Sequence, residues 1–349
     1  YKKDVFFEAA EYILDRSERL LRNRIKVLPK GSFEAEDYLE GIDEETINIK
    51  VRIQIEDDQI FFDYTGTHEQ VKAPINAVYG VTLAGVYFTI KAVLEPEIDV
   101  NDGAFRPIKV NVPLGSLLNP IPPAPVALGN VETSQRNVDV LLRAFSKVLP
   151  DKVCAACQGT MNNLIMGGYD EIRGKYWTFY ETIGGGFGGR KGLDGVDGIQ
   201  CHMTNTMNTP IEVIEVEFPL MVTRYRFRIN SGGLGKWRGG MGIERGFKLL
   251  SKEATLSFIG ERYKLKPWGL FGGFDGSSGK VYLLRRGKRV RLGGKINLKM
   301  EKDDEIIIMT PGGGGYGDYK ERDKNLILKD IKDGLITKSY LKKYGIFLK

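Results

Sequence analysis

The pattern of hydrophobic and polar residues changes along the chain, and its first part predicts helices. Over residues 1–28, apolar side chains recur every three or four positions while charged side chains fill the other face, as in an amphipathic helix. The chain begins within this helix, so we expect an upstream part to be missing. Residues 76–94 and 133–148 predict two further helices, the second capped by Thr133 or Ser134.

Strict alternation of apolar and polar residues predicts the strands. Residues 47–55 and 59–64 alternate on either side of an Asp-Asp turn, which indicates a hairpin with one buried face. Six prolines in residues 106–130 predict an extended, irregular segment, because proline fixes φ and removes a hydrogen-bond donor. Beyond residue 150, short strands are predicted at 175–182, 211–218, 222–229, 254–260, 280–285 and 305–310.

Glycine divides the chain into two compositions. Eight of the 43 glycines lie in residues 1–150 and the other 35 in residues 151–349, which predicts a β-rich second half with tight turns. The predicted fold class is α+β, with helices mainly in residues 1–150 and at the C-terminus. We predict an α+β region over 1–150, a glycine-rich β region over 151–318 and a short helical tail over 319–349.

Charge and cysteine content narrow the class of protein. Lys and Arg number 51 against 45 Asp and Glu, a net charge of +6, and the densest basic cluster, residues 285–291, suits a solvated hairpin or a phosphate contact. Three cysteines argue against a disulfide framework and for a reducing compartment. No apolar stretch reaches the roughly 18 residues that a membrane span needs. We therefore expect a cytoplasmic protein that binds neither nucleic acid nor membrane.

A glycine-rich segment over residues 183–190 follows a predicted strand. Its successive N–H groups could form an anion nest around Gly185 and Gly186, with Arg190 beside it. The alternative is that these glycines make tight turns between strands. The segment is neither a P-loop nor a dinucleotide fingerprint, because the residues that complete those motifs are absent.

Two further segments repeat this glycine-rich character. In residues 230–242, Arg238 stands between glycines, and its guanidinium could clamp a carboxylate or phosphate. The alternative is a structural arginine paired with Glu244 or with a backbone carbonyl. In residues 311–318 the glycines favour a turn.

The three cysteines could belong to a metal site. Cys154 and Cys157 have the spacing of a metal knuckle, and Cys201 with His202 could complete a Cys3His set. However, adjacent residues suit one tetrahedral site poorly, and residues 153–157 predict a buried strand in which cysteine is a small hydrophobe. The sequence therefore predicts no metal ligand in this chain.

Polar residues cluster on one face of the helix predicted over residues 133–148. Glu132, Gln135, Arg136 and Asp139 lie three or four positions apart and therefore share that face. Such a face suits either solvent or the wall of an interface or active site.

A second polar cluster follows in residues 204–215. Asn205 precedes Glu212 and Glu215, which a helix or strand would bring together for acid–base work. Pairing of these carboxylates with Arg224 or Arg226 is the alternative.

These motifs, taken in order, resemble the hydantoinase B/oxoprolinase family over nearly the whole chain. Each glycine motif is weak alone, whereas the ordered set is specific. The matching stretches are Asp63-Tyr-Thr-Gly-Thr, Pro74-Ile-Asn-Ala, Arg106-Pro-Ile, Pro113-Leu-Gly-Ser, Gly129-Asn-Val-Glu-Thr-Ser-Gln-Arg, 204–215, 231–242, Pro267-Trp-Gly-Leu-Phe-Gly-Gly and Thr310-Pro-Gly-Gly-Gly-Gly-Tyr-Gly.

The resemblance implies an ATP-dependent amidohydrolase that acts on a cyclic amide. The family includes the second half of 5-oxoprolinase, a caprolactam-opening enzyme and the large components of acetone and acetophenone carboxylases. In it, ATP is used by a partner, a hydantoinase A-like protein, which is thought to phosphorylate the substrate carbonyl oxygen. The hydantoinase B component holds a divalent metal and completes the attack. A ketone carboxylase component and a non-catalytic docking component are the alternatives.

The chain departs from the family in its metal ligands. The family keeps His and Asp ligands in Asn-Asp-Pro and Thr-His-Leu-Pro-Asp-type segments, and neither segment occurs here. We therefore expect the divalent metal in a missing N-terminal segment of the same polypeptide and expect this chain alone to be inactive. The resemblance leaves as catalytic candidates Glu132, Arg136, Glu212 and Arg238. It leaves as substrate-binding candidates Asn76, Gln135, Asn205, Gly185, Gly186 and Arg190.

Overall fold

The computed structural model describes residues 2–42 and 46–346. The chain divides into two compact units, the first ending at Val153 and the second beginning at Cys154. Three β-sheets and seven α-helices occur within the described residues, which confirms the predicted α+β class. No helix in this part of the chain is both long and apolar enough to cross a membrane.

The first unit holds a four-stranded sheet. Its strands lie in the order β1-β2-β3-β4, with antiparallel pairs except for the parallel pair β3–β4. Apolar residues that alternate along β2, such as Ile49, Val51 and Ile53, are fully buried, as expected for a strand with one face on the core. The strands are β1 (Gly31–Glu40), β2 (Thr46–Glu56), β3 (Gln59–Asp63) and β4 (Ile108–Asn111).

Four helices complete the first unit. Helix α4 packs on β1, β2 and α2, and it follows a π-helical turn at Gly129–Thr133. Because this turn runs directly into α4, the side chain of Thr133 does not cap the helix but donates to the carbonyl of Ile75. The predicted cap is therefore wrong. The helices are α1 (Lys3–Lys26), α2 (Tyr79–Val93), α3 (Asp102–Phe105) and α4 (Ser134–Phe145).

The second unit contains two sheets that share one hydrophobic core. Their orders are β11-β10-β13-β8-β7 and β12-β9-β5-β6. Leu164 and Leu256 enter the core from one sheet, and Phe247 and Ile306 from the other. The strands are β5 (Asn163–Asp170), β6 (Lys175–Thr182), β7 (Leu220–Arg228), β8 (Gly242–Leu249), β9 (Glu253–Ile259), β10 (Lys280–Arg285), β11 (Lys288–Leu292), β12 (Lys295–Glu301) and β13 (Glu305–Met309).

Three helices belong to the second unit: α5 (Ile211–Glu217), α6 (Lys324–Lys332) and α7 (Lys338–Lys342). The strand predicted over 211–218 is wrong, because this segment forms α5 and buries one residue, Ile214, against the core. Residues 153–157 are buried as predicted but do not form a strand; Cys154 makes a single isolated bridge.

The glycine-rich segments of the second unit lie directly against one another rather than forming tight turns. A Cβ on Gly186 would lie 2.0 Å from the carbonyl oxygen of Gly240, and one on Gly313 would lie 2.0 Å from that of Phe187. The N–H of Gly240 donates to Phe187 at 2.8 Å, and the N–H of Gly313 donates to Gly240 at 2.9 Å. Glycine is required here because the backbones approach more closely than any side chain permits.

Candidate functional site

The polar face of α4 is buried in the first unit. Glu132, Gln135 and Arg136 are each 0% exposed. The interpretation of this face as solvent-facing is therefore wrong, and the alternative, a wall of an interface or active site, stays a prediction. Buried charged groups are costly unless they are paired or hydrogen-bonded, so their placement needs specific partners.

Arg136 is held by the strand beside it. Its Nη1 donates to the carbonyl oxygen of Tyr38 at 2.6 Å and lies 3.5 Å from Oδ1 of Asp37. Both partners belong to β1, so the strand fixes one edge of the guanidinium. A buried, fixed arginine is suited to stabilising negative charge that develops nearby.

Asn76 organises the chain in front of α4. Its Oδ1 accepts from the N–H of Val71 at 2.8 Å, and its Nδ2 lies within hydrogen-bonding distance of the carbonyls of Val71, Ala73 and Pro125. A Cβ on Gly129 would lie 2.1 Å from the Asn76 carbonyl oxygen, so this loop packs directly on the π-helical turn. The amide hydrogens of Asn76 are committed to the backbone, and a substrate contact by it stays a prediction.

A buried tyrosine fixes α4 from another side. The hydroxyl of Tyr64 donates to Oδ1 of Asn137 at 2.7 Å, and Nδ2 of Asn137 donates to the carbonyl of Thr82 at 3.1 Å. Burial raises the pKa of Tyr64, and the bond to Asn137 offsets only part of that effect. Asn137 therefore ties α4 to α2 and to the residue that follows β3.

The segment that contains Gly185 and Gly186 cannot serve as an anion nest. The Gly185 N–H donates to Ile199 and the Gly186 N–H to Pro311, each at 3.0 Å, and both glycines are buried. The nest interpretation is therefore wrong, and substrate binding by these glycines stays a prediction without those donors. Arg190 follows them with an exposed side chain.

Arg238 is not open to an approaching ligand. It is 6% exposed, and its guanidinium binds Asp197 through Nη1 at 2.7 Å and Nη2 at 3.0 Å and Asp330 through Nε at 3.0 Å. Burial opposes the charge, but the two carboxylates outweigh it and raise the pKa of Arg238. The expected open guanidinium is wrong, as is its pairing with Glu244. The alternative pairing with a backbone carbonyl is confirmed, because Nη1 donates to the carbonyl of Gly239 at 3.1 Å. A catalytic role stays a prediction.

Asn205 and Glu212 are exposed, in contrast to the polar residues of α4. Glu215 accepts the N–H of Val222 at 2.8 Å. Neither Glu212 nor Glu215 pairs with the strand arginines as the alternative supposed, and those arginines have other partners. Arg224 contacts Glu305 at 3.2 Å, and Arg226 contacts Glu244 at 2.7 Å.

The structure brings together three potential metal ligands that the sequence did not predict to be ligands. The ligating atoms of Cys157, Cys201 and His202 all lie within 4.8 Å of one another. Burial, together with hydrogen-bonding contact to the Cys154 and Cys201 thiols, raises the pKa of the Cys157 thiol. The signal in the sequence was the Cys-x-x-Cys spacing, and the adjacency of Cys201 and His202 argued against it.

The network around Arg238 was also missed. Asp194 and Asp197 lie in a short Leu-Asp-Gly-Val-Asp-Gly run that carries no recognisable motif, and Asp330 lies far along the chain in α6. Only the folded arrangement brings Asp197 and Asp330 to Arg238 and Asp194 to Arg322, so no local pattern could have revealed the pairing.

Comparison with known proteins shows which family this chain is similar to. The family model described as hydantoinase B/oxoprolinase matches residues 1–319. A Methanocaldococcus jannaschii protein described as uncharacterized is 50% identical over 340 residues, which cover 97% of this chain and 59% of that protein. A Pseudomonas sp. protein, described as the putative B subunit of a D-/L-hydantoinase, is 34% identical over 363 residues, covering 99% of this chain and 60% of that protein.

A solved structure shares the fold. The ATP-dependent caprolactamase from Pseudomonas jessenii superposes with a TM-score of 0.91 at 24% identity, covering 100% of this chain and 62% of that one. The chain thus spans about three fifths of the length of these relatives. From the match over residues 1–319 and the 50% identity to the archaeal relative, the chain belongs to the hydantoinase B/oxoprolinase family.

Proposed function

We propose that this chain is part of a hydantoinase B component that hydrolyses a cyclic amide together with an ATP-using, hydantoinase A-like partner. The observation that carries the proposal is the family match over residues 1–319, supported by the relative that is named as a component of a D-/L-hydantoinase. An amide carbonyl is a poor electrophile, and phosphorylation of its oxygen by ATP makes the carbonyl carbon reactive toward water. Water adds to the carbonyl carbon of the phosphorylated amide and the ring C–N bond breaks, which gives an amine and an acyl phosphate. A second water hydrolyses the acyl phosphate to a carboxylate and phosphate, and the partner is left with ADP.

In this proposal the polar face of α4 forms one wall of the reaction site. Glu132 would orient the attacking water or accept its proton, and Arg136 would stabilise charge on the oxygen of the tetrahedral species. Gln135 would orient the substrate. The supporting observations are the complete burial of these side chains and the attachment of Arg136 to β1.

The segments in which the family keeps its metal ligands do not occur in this sequence. Among the described residues, the one group of three His, Cys, Asp or Glu side chains close enough to share an ion is rich in thiols. Hard divalent cations prefer carboxylate and carbonyl oxygens, so this group does not suit them. We derive no step through the family metal from these residues.

Two alternative functions are kept beside the proposed one. A ketone carboxylase would use the same activation of a carbonyl oxygen with a carbon nucleophile, and a docking component would need no chemistry of its own. We retain the cytoplasm as the proposed compartment, consistent with three cysteines that form no disulfide.

The test is a substrate panel with the full-length hydantoinase B component and its ATP-using partner, purified together. Hydantoins, 5-oxoproline and caprolactam are supplied with ATP, and ketones are supplied with ATP and bicarbonate. We expect ring opening that requires both proteins and ATP. Carboxylation of a ketone without ring opening would replace the hydrolase by the carboxylase, and an unchanged rate after removal of the hydantoinase B component would leave only a docking role.

A further inference from the structure

Two cysteines and a histidine meet within the second unit, brought there from two distant segments, and a third cysteine lies beside one of them. The Sγ atoms of Cys157 and Cys201 and a ring nitrogen of His202 lie within 4.8 Å of one another. The Cys154 thiol is in hydrogen-bonding contact with that of Cys157. Sulfur ligands around one tetrahedral zinc ion lie about 3.8 Å apart, so small side-chain rotations would close Cys157, Cys201 and His202 on a metal. Cys154 lies outside this group of three, and its side chain would have to turn toward the metal to supply the fourth ligand.

The backbone at His202 explains how adjacent residues reach one point. His202 has φ of +49°, in the left-handed region that non-glycine residues rarely occupy. Successive side chains normally diverge, and a left-handed residue turns the chain sharply enough for Cys201 and His202 to converge. A strained conformation of this kind persists where the surrounding structure requires it, and it occurs frequently at ligand sites.

The glycine-rich segment over residues 183–190 contacts Cys157 and His202. The N–H of Gly188 donates to Sγ of Cys157 at 3.4 Å, a contact that stabilises a thiolate ligand. A Cβ on Gly188 would lie 1.8 Å from the carbonyl oxygen of Ala155, so only glycine allows this approach. The ring of Phe187 meets that of His202 edge-on at 5.7 Å, which orients the imidazole.

Burial of the group favours a permanent site. Cys157 and Cys201 are 0% and 1% exposed and Cys154 is 7% exposed, while His202 is partly exposed. The thiols are thus shielded from solvent, and the imidazole side provides an entry route. None of the three cysteines forms a disulfide.

We propose that Cys154, Cys157, Cys201 and His202 bind one zinc ion as a closed Cys3His site. Three thiols and one imidazole are the ligand set that tetrahedral zinc prefers, and a set with no open position indicates a structural role. The ion would join the start of the second unit to the segment around Cys201, which leads to Asn205 and α5. The proposal does not depend on the proposed function.

The test uses the chain purified under anaerobic, reducing conditions, with zinc measured by mass spectrometry and cobalt substituted for zinc. We expect about one zinc per folded chain. The cobalt form should show thiolate-to-cobalt charge-transfer bands, which a site of carboxylates and imidazoles cannot produce. These bands separate the proposed site from any oxygen-rich metal site elsewhere in the protein.

The variants test each kind of ligand. Cys157→Ser and Cys201→Ser should lose zinc and the charge-transfer bands. His202→Asn keeps a residue that tolerates positive φ, so it should fold while its zinc affinity falls at least about tenfold. The other histidine in the chain, His68, lies in the first unit and provides the control: His68→Asn should keep one zinc and an unchanged spectrum.

Two results would overturn the site. One is a folded, reduced wild-type chain without zinc and without charge-transfer bands. The other is a His202→Asn variant that binds zinc as tightly as the wild type, because the imidazole would then not be a ligand.

Discussion

Arg238 and Asp197 form a two-point ion pair, with Nη1–Oδ1 at 2.7 Å and Nη2–Oδ2 at 3.0 Å. Asp330 adds a third contact to Arg238 and also binds Nη2 of Arg322 at 2.7 Å, while Arg322 binds Asp194. The network links a glycine-rich segment to α6. A buried charge network of this kind depends on every partner, because any member left alone is uncompensated.

Replacing Arg238 should therefore destabilise the second unit. Arg238→Ala leaves Asp197 without its arginine and Asp330 with Arg322 alone, and we expect the free energy of unfolding to fall by about 3–5 kcal/mol. Arg226→Ala, which removes an arginine from a solvent-exposed pair with Glu244, should cost about 1 kcal/mol or less. Urea unfolding measures both. An Arg238→Ala chain as stable as the wild type but inactive in the complex would restore the catalytic prediction.

The contact between glycine segments predicts a second stability effect. In Gly186→Ala the new methyl group would lie 2.0 Å from the carbonyl oxygen of Gly240 and 2.2 Å from the nitrogen of Gly313, and backbone atoms cannot rotate away. We expect a loss of about 3 kcal/mol or more. Gly293→Ala is the matched control, because its nearest neighbour is 4.0 Å away, and it should unfold like the wild type. Equal denaturation midpoints for the two variants would contradict the close packing.

Sequence reasoning succeeded for the fold where one local signal dominated. The alternation in residues 47–55 located β2, and the helical period in residues 1–28 located α1. It failed for residues 211–217, where β-branched residues suggested a strand while spacing by three placed Ile214 on the core side of a helix. Tertiary contact decided that case, and propensity alone did not.

For the candidate sites as well, local sequence patterns predicted some features and tertiary structure determined the others. Helical spacing grouped Glu132, Gln135 and Arg136, and the structure places the first in the π-helical turn and the other two in α4. Their burial is a property of the whole unit, which no local spacing specifies. The convergence of Cys201 and His202 depends on one left-handed φ, which no pattern in the sequence specifies.

The bond from Tyr64 to Asn137 predicts a moderate effect in the first unit. Tyr64→Phe keeps the ring and removes the donor, leaving Oδ1 of Asn137 buried without it, so we expect a loss of about 1–3 kcal/mol. Tyr12→Phe, at a position 63% exposed on α1, should change stability by less than about 0.5 kcal/mol. Thermal or urea unfolding distinguishes the two. An equally small effect at Tyr64 would mean that Asn137 finds another donor.

Asp170 predicts a dependence of stability on pH. Burial alone would raise its pKa, but the Arg173 side chain and the N–H groups of Arg173 and Ile172 outweigh burial and lower it. The charged form therefore stabilises the fold above the ordinary pKa of about 3.9, and this stability is lost as pH falls through the lower folded-state pKa. The stability difference between wild type and Asp170→Asn should be constant near neutrality and shrink below about pH 4.

The control for this measurement is the exposed neighbour Glu171→Gln. Unfolding in urea at a series of pH values gives the difference directly. A difference between wild type and Asp170→Asn that stays constant down to about pH 3 would show that charge at this position does not matter, and that Asp170 acts through its hydrogen bonds alone.

Glu132 gives the most direct test of the proposed chemistry. Glu132→Gln keeps the shape of a fully buried side chain and removes its ability to accept a proton, so in the complex with the ATP-using partner we expect kcat for ring opening to fall by about 10²–10⁴-fold. KM should change little, because the substrate contacts remain. ATP use by the partner should continue and become uncoupled from product formation. Glu217→Gln, an exposed position on α5, should leave kcat unchanged. A stable Glu132→Gln variant with wild-type kcat would remove this residue from the reaction and leave the buried face of α4 a structural role.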